Sequence, residues 1–281
     1  MKKQIINDKL IENFLLHLIS EERSAATISK YQREVQEFRQ WCSEALVSKE
    51  LVSGWKDWLQ TQNFAPSTIN CKLAAINAFL TFAGWSDCRV KSLKLQRKIF
   101  RDSARELSYD EYSALLKTAQ NLKKDRLLLV METICSTGIR VSELKYITLE
   151  AAQDGKAVIY LKGKIRTILI PGKLGKKLIK YAGKNKIASG EIFLTRGGSP
   201  LSRKQIWLEM KLLCKKAGVE PSKVFPHNLR HLFARCFYRA QRDIAMLADV
   251  LGHSSIETTR LYLISTGAEH SRTLERLRLV S

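Results

Sequence analysis

Apolar residues recur on a helical period through the first third of the chain. Leu10, Ile11, Phe14, Leu15, Leu18 and Ile19 trace one amphipathic helix, and Ile28, Tyr31, Val35, Phe38 and Trp41 trace a second. Trp55, Trp58 and Leu59 mark a shorter third. Ile69, Leu73, Ile76, Phe79 and Leu80 mark a fourth, with Ser67 after Pro66 as its expected N-cap and Gly84 as its stop. The expectation is a small helical bundle over residues 1–90. The period then fades. Lys91 to Arg101 (KSLKLQRKIFR) holds five basic residues and no acid. This stretch reads as a linker, which is extended to residues 91–105. Its charge suits a strand lying along a phosphate backbone and equally a solvated connector.

A second domain is expected over residues 106–281. Ser108 and Glu111 have the spacing of a capping box, and Leu127 to Cys135 reads as a buried helix interrupted by Gly138. The period then switches to two. Ala157 to Leu161 and Thr167 to Ile170 are β-rich runs around Lys162-Gly163-Lys164, which predicts a hairpin closed by Pro171 and Gly172. Ser202 with Gln205 opens a helix whose stripe is Ile206, Met210, Leu213, Cys214 and Ala217, and Gly218 stops it. Beyond Phe225-Pro226 the pattern is helical nearly to Ser281. The fold class is therefore mainly α with a small β-hairpin, the second domain being mixed α+β.

Charge changes the picture first. Lys plus Arg number 48 and Asp plus Glu 27, and 48 − 27 gives +21. Side chains that displace phosphate counterions contribute strongly to binding, so a nucleic-acid partner is the natural inference. No basic amphipathic segment points to a membrane surface. The longest aliphatic run, Leu127 to Met131, is far too short to cross a bilayer. No small-residue cleavage site follows an apolar stretch near Met1, and the six cysteines are irregularly spaced without a C-x-x-C pair. Buried thiols in a cytoplasmic protein are the simple reading.

The chemistry-bearing residues cluster late. Four of the five histidines, His227, His231, His253 and His270, lie beyond residue 226. Arg140 follows a glycine break, Arg230 sits between His227 and His231, and Tyr262 follows Leu251-Gly252-His253. Singly each is ambiguous. Arg140 could be a surface arginine and Tyr262 a core tyrosine. His227 and His231 have a metal-binding spacing, but Asn228 stands where a metalloprotease helix carries glutamate. Together they fit one reaction. Attack on a phosphodiester builds charge on the non-bridging oxygens, and two guanidiniums can hold these with permanently charged bidentate bonds. Imidazoles can donate or shuttle a proton, a lysine can protonate the departing oxygen, and a tyrosine can attack. A free phenol has a pKa of about 10, so it needs cations or a base nearby. This chemistry needs no metal or other cofactor.

Three segments carry a resemblance: Thr137-Gly-Ile-Arg-Val-Ser-Glu-Leu144, His227-Asn-Leu-Arg-His231, and Leu251-Gly-His-Ser-Ser-Ile-Glu-Thr-Thr-Arg-Leu-Tyr262. In order and separation they are similar to the signature boxes of the tyrosine recombinases, or phage integrase family. Residues 1–90, with Ser24-Ala-Ala-Thr-Ile-Ser-Lys-Tyr31 and Ala65-Pro-Ser-Thr-Ile69, resemble that family's SAM-like core-binding domain.

The resemblance implies that Arg140 and Arg230 clamp the scissile phosphate and that His227 assists as acid/base. It also implies that His253 donates to a non-bridging oxygen and that Tyr262 forms a 3′-phosphotyrosyl intermediate. Glu143 would orient Arg140. Lys162 is the preferred hairpin lysine and Lys164 the alternative, while His231 is read as packing. Lys91, Lys94, Arg97, Lys98 and Arg101 are candidates for the DNA backbone. Two domains would close on duplex DNA like a C, four protomers would meet around two DNA segments, as a homo-tetramer or with a paralogue, and the tail from His270 to Ser281 would dock on a neighbour or fold back. The early start of the bundle favours a simple Xer-like recombinase. The alternatives are a tyrosine topoisomerase and a non-catalytic regulator, in which Asp243 to Tyr262 forms a helix-turn-helix with Ser254 and Glu257 capping its second helix.

Overall fold

The computed structural model describes residues 5–43, 45–95, 103–161, 164–263 and 275–276. Arg97, Lys98, Arg101, Lys162 and His270 lie outside the described residues. The chain forms two compact units, residues 1–97 and 98–281.

Among its described residues the first unit has four α-helices: α1 (Asp8–Ser20), α2 (Ala25–Cys42), α3 (Lys49–Thr61) and α4 (Pro66–Phe82). Asn7, Ser24 and Ser48 each accept a backbone N–H with the side chain and so start the first three. The fourth departs from expectation. Its N-cap is Ala65 and Pro66 is the first helical residue, with Ser67 inside the helix. Proline has no N–H to satisfy and its φ is already helical, so no side-chain cap is needed. Aromatic rings fill the core: Phe14 meets Phe79 edge-on at 5.3 Å, and Phe38 meets Trp55 at 5.0 Å. Between α2 and α4, buried Lys72 bonds Glu34 at 2.6 Å and also bonds Glu37.

The chain leaving α4 is tied back to it. Asn77 donates to the Val90 carbonyl and accepts its N–H, and Asn70 does the same with Leu93. The stretch read as a linker therefore begins as an extended strap with Lys91 and Lys94 exposed. Two side-chain amides supply the pairing that a strand would otherwise take from a neighbour.

The second unit opens with α5 (Tyr109–Asn121), whose Ser108–Glu111 capping box is formed, and α6 (Asp125–Thr137), which stops at Gly138 in the left-handed region. A 3-10 stretch (Val141–Tyr146) and α7 (Leu149–Asp154) lead to β1 (Lys156–Leu161) and β2 (Lys164–Leu169). The strands pair antiparallel with Ile159 opposite Arg166. Next come α8 (Gly172–Lys184), α9 (Arg203–Ala217), α10 (Pro226–Gln241), α11 (Ile244–Leu251) and α12 (Ile256–Leu263). Helix α8 has no counterpart in the sequence reading, although Leu174, Leu178 and Ala182 are buried along one face. Ser255, not Ser254, bonds the first turn of α12, its hydroxyl accepting from the Glu257 N–H.

The core of this unit gathers Leu115, Val130, Ile134, Met210, Leu213 and Leu229. A smaller cluster of Ala234, Leu247, Leu251 and Tyr262 joins α10 to α11 and α12. Among the described residues, no helix is long and apolar enough to cross a membrane.

Candidate active site

Helix α6 must end abruptly for the first arginine to reach the site. Gly138 takes φ +67, and a Cβ there would lie 2.5 Å from the Phe233 ring, so only glycine makes this turn. Arg140 follows, half-exposed, with its side chain fixed by Glu143. Glu143 is 1% exposed. One carboxylate oxygen accepts from Arg140 Nη1 at 3.0 Å, and the other accepts the Arg140 backbone N–H at 2.7 Å.

The second arginine comes from α10, where Pro226 starts the helix and places His227 and Arg230 in its first turns. Asn228 anchors this end by donating to the carbonyls of Arg105 and Lys223. Arg230 is 1% exposed, yet it faces no carboxylate among its described partners. Nη1 donates to the Gly138 carbonyl, and Nη2 donates to the Leu251 carbonyl at 2.8 Å. Its Nε is buried without a partner. Burial, together with nearby Arg140, lowers this guanidinium to about 10, and Tyr262 partly offsets the loss.

Gly252 turns α11 into the His253 loop at φ +65. His253 Nε2 lies 2.9 Å from Arg230 Nη2, and Nδ1 lies 2.9 Å from the Thr259 hydroxyl. A guanidinium can only donate, so Nε2 accepts and the proton is assigned to Nδ1. Burial first, then Arg230, Arg140 and Arg166, pushes His253 down to about 4. In this arrangement His253 is neutral, and its Nε2 has no proton to give.

Tyr262, on α12, turns inward. Its ring stacks on His231 at 4.2 Å, lies 5.2 Å from His253 and 5.5 Å from His227, and has the Arg230 guanidinium carbon 5.8 Å from its centre. One chain thus brings together Arg140, Glu143, His227, Arg230, His253 and Tyr262, from segments more than a hundred residues apart. His231 packs against the phenol ring. Lys162 lies outside the described residues; Lys164 begins β2. Lys91 and Lys94 lie in the first unit.

A cavity of about 620 Å³ opens beside this cluster, lined in part by Arg140, His227 and Arg230 and by Arg203, Lys204 and Trp207 of α9. Among the described residues, no carboxylate lines it. The composition favours an anion. The α9 residues, Arg166 and Thr259 were not singled out from the sequence. Each joins the cluster through the fold; the local signals are the capped helix start at Ser202 and, for Thr259, its place inside the Leu251–Tyr262 segment. Among the described residues, no three His, Cys, Asp or Glu side chains gather as a metal site would require.

The model of the phage integrase family matches residues 105–269, and that of the phage integrase N-terminal SAM-like domain matches residues 11–87. The chain is 27% identical to the tyrosine recombinase XerA of Pyrococcus horikoshii, covering 99% of this chain and 97% of that one. It is 28% identical to the tyrosine recombinase XerC of a Roseiflexus species, covering 92% and 89%. Its fold is similar to that of the site-specific recombinase XerH bound to its difH substrate, with a TM-score of 0.68, 17% identity, and coverage of 97% and 90%. The chain therefore belongs to the phage integrase family, the tyrosine recombinases, and resembles Xer recombinases along nearly its whole length.

Proposed function

We propose that this protein cuts and rejoins DNA at specific sites with Tyr262 as the nucleophile. The phenol oxygen attacks the scissile phosphorus, a Tyr–O–P bond forms, and the bond from phosphorus to the 5′ oxygen breaks. That oxygen leaves with a proton as a 5′-hydroxyl, and the phosphate stays on the 3′ end as a phosphotyrosine. Attack by a 5′-hydroxyl from another duplex reverses the step and completes exchange. The energy of the broken bond is kept in the covalent link, so the cycle needs neither ATP nor an outside nucleophile.

The observation that carries this reading is the meeting of Tyr262 with Arg230, His227 and His253 inside one chain, beside a cavity lined by cations. Arg140 and Arg230 would hold the non-bridging oxygens, worth several kcal/mol when water is excluded (roughly 3–4 kcal/mol per donor removed). His227 is the exposed acid/base. His253 would turn from accepting Arg230's N–H to donating to a phosphate oxygen by moving its one proton from Nδ1 to Nε2, the Thr259 hydroxyl then donating to Nδ1. A hairpin lysine, Lys162 in preference to Lys164, protonates the leaving oxygen. Lys91, Lys94, Arg97, Lys98 and Arg101 would follow the DNA backbone, and Arg203 and Lys204 would meet phosphates at the cavity. Assembly is a tetramer on two DNA segments in the cytoplasm, with the tail from His270 to Ser281 docked on a neighbour, and the biological role is Xer-like dimer resolution or mobile-element integration.

Sequencing DNA captured covalently on the protein in cells tests this. Capture at one short recurrent site, lost in Tyr262→Phe, is expected. Capture that persists in Tyr262→Phe contradicts the assignment.

A further inference from the structure

Arg166 sits where three parts of the site meet, and nothing in the proposed chemistry uses it. It lies on the core-facing side of β2, with its side chain 15% exposed. Nη2 donates to Glu143 at 2.5 Å, on the carboxylate oxygen that also accepts the Arg140 backbone N–H. Nη1 donates to the carbonyl of Val250, at the end of α11, at 3.3 Å. A Cβ on Gly252 would fall 2.5 Å from Arg166 Cδ and Nη1 and 3.0 Å from Nε. The glycine before His253 therefore has two jobs: it takes the left-handed turn, and it leaves the space through which this guanidinium passes.

Resting on the recombinase reading above, we infer that Arg166 is a positioning residue: it locks Glu143, and through it Arg140, to the end of α11 that leads into His253. The charge balance gives the reason. Glu143 and Arg140 alone would sum to zero, and a buried carboxylate would draw Arg140 away from an incoming phosphate. Arg166 supplies a second cation to the same carboxylate. The group of three is then net positive, and Arg140 keeps its remaining donors for the substrate. Burial lowers the Arg166 guanidinium while Glu143 holds it up, as expected for a cation that depends on this one partner. The same bonds join the hairpin strand to both halves of the site, so a shift of β2 moves Arg140 and the His253 turn together.

The test uses the full chain and a duplex bearing the site captured on the wild-type protein, made once with the natural scissile phosphate and once with a methylphosphonate. The methyl group removes the charge that Arg140 neutralises. On the phosphate, Arg166→Met slows formation of the covalent adduct about 100-fold, the cost of a small misplacement of a catalytic group, with DNA affinity nearly unchanged; its melting temperature falls, because Glu143 loses one of its two cations, and the assay is run well below it so that the chain stays folded. On the methylphosphonate the loss shrinks to a few-fold. Arg166→Lys, which can reach Glu143 but cannot also bond Val250, falls between. Equal losses on both substrates, or a drop in DNA binding that accounts for the loss, would mean a merely structural role and overturn the inference. Normal cleavage by Arg166→Met overturns it alone, whereas a wild-type chain that forms no adduct on this duplex sinks the recombinase reading as well.

Discussion

At the scale of single residues, the site is organised by groups whose hydrogen-bonding roles are forced. Arg230 can only donate, and it spends its donors on two carbonyls and on His253. This makes His253 an acceptor and pins its proton toward Thr259. A neutral buried imidazole has a consequence for stability. The folded value of about 4 lies below the 6.5 of a free histidine, so between these values the unfolded chain takes up a proton that the folded chain refuses. The contribution of this group is full above 6.5 and is lost as pH falls toward 4. Melting temperatures followed from pH 6.5 down to 4 should fall more steeply for the wild type than for His253→Gln. Parallel curves would contradict the assignment. Much at this scale is legible in the sequence, because Arg140, His227, Arg230, His253 and Tyr262 stand in short contiguous motifs. Arg166 is not, since its role comes from bonds such as that to Val250, which spans 84 residues; Thr259 stands in the third motif, but its bond to His253 comes only with the fold.

At the scale of elements, periodicity anticipates the helices whose apolar stripe is free of glycine. Leu174, Leu178 and Ala182 recur every four residues along α8 among lysines at 173, 176, 177 and 180, so the stripe is there, and Pro171, Gly172, Gly175 and Gly183 disguise it as a turn. The strap after α4 was also out of reach, because its partners are the side chains of Asn70 and Asn77 on a helix. The pairing of α2 with α4 hides a further device. Burial alone would push the Glu34 carboxyl up, but Lys72 and Arg33 hold it below the usual carboxylate range. Removing Lys72 leaves that charge buried with only Arg33 beside it. Lys72→Met should cost about 3 kcal/mol, the cost of breaking a buried pair, and adding Glu34→Leu should recover much of it. Four of the five tryptophans, Trp41, Trp55, Trp58 and Trp85, lie in this unit, so fluorescence-detected denaturant unfolding reads it directly. A shift of under about 0.5 kcal/mol would show that the pair is no more than a surface contact.

At the scale of the whole molecule, a charge of +21 and two units with separate cores suit a protein that grips a polyanion and works on one bond of it. The charge is plain from composition, whereas the division into units 1–97 and 98–281 comes from the fold. The convergence of guanidiniums, imidazoles and phenol was only implied by motif order, since no spacing along a chain fixes a distance across it. The central claim is that one phenol oxygen carries the DNA, and peptide mapping tests it most directly. The adduct is digested with nuclease and then trypsin, and the modified peptide is fragmented in the mass spectrometer. A nucleotide carried by the peptide Leu261 to Arg272, and localised to Tyr262, is the predicted result. A nucleotide on any other residue, or a cleaved duplex with no protein attached, would contradict the account.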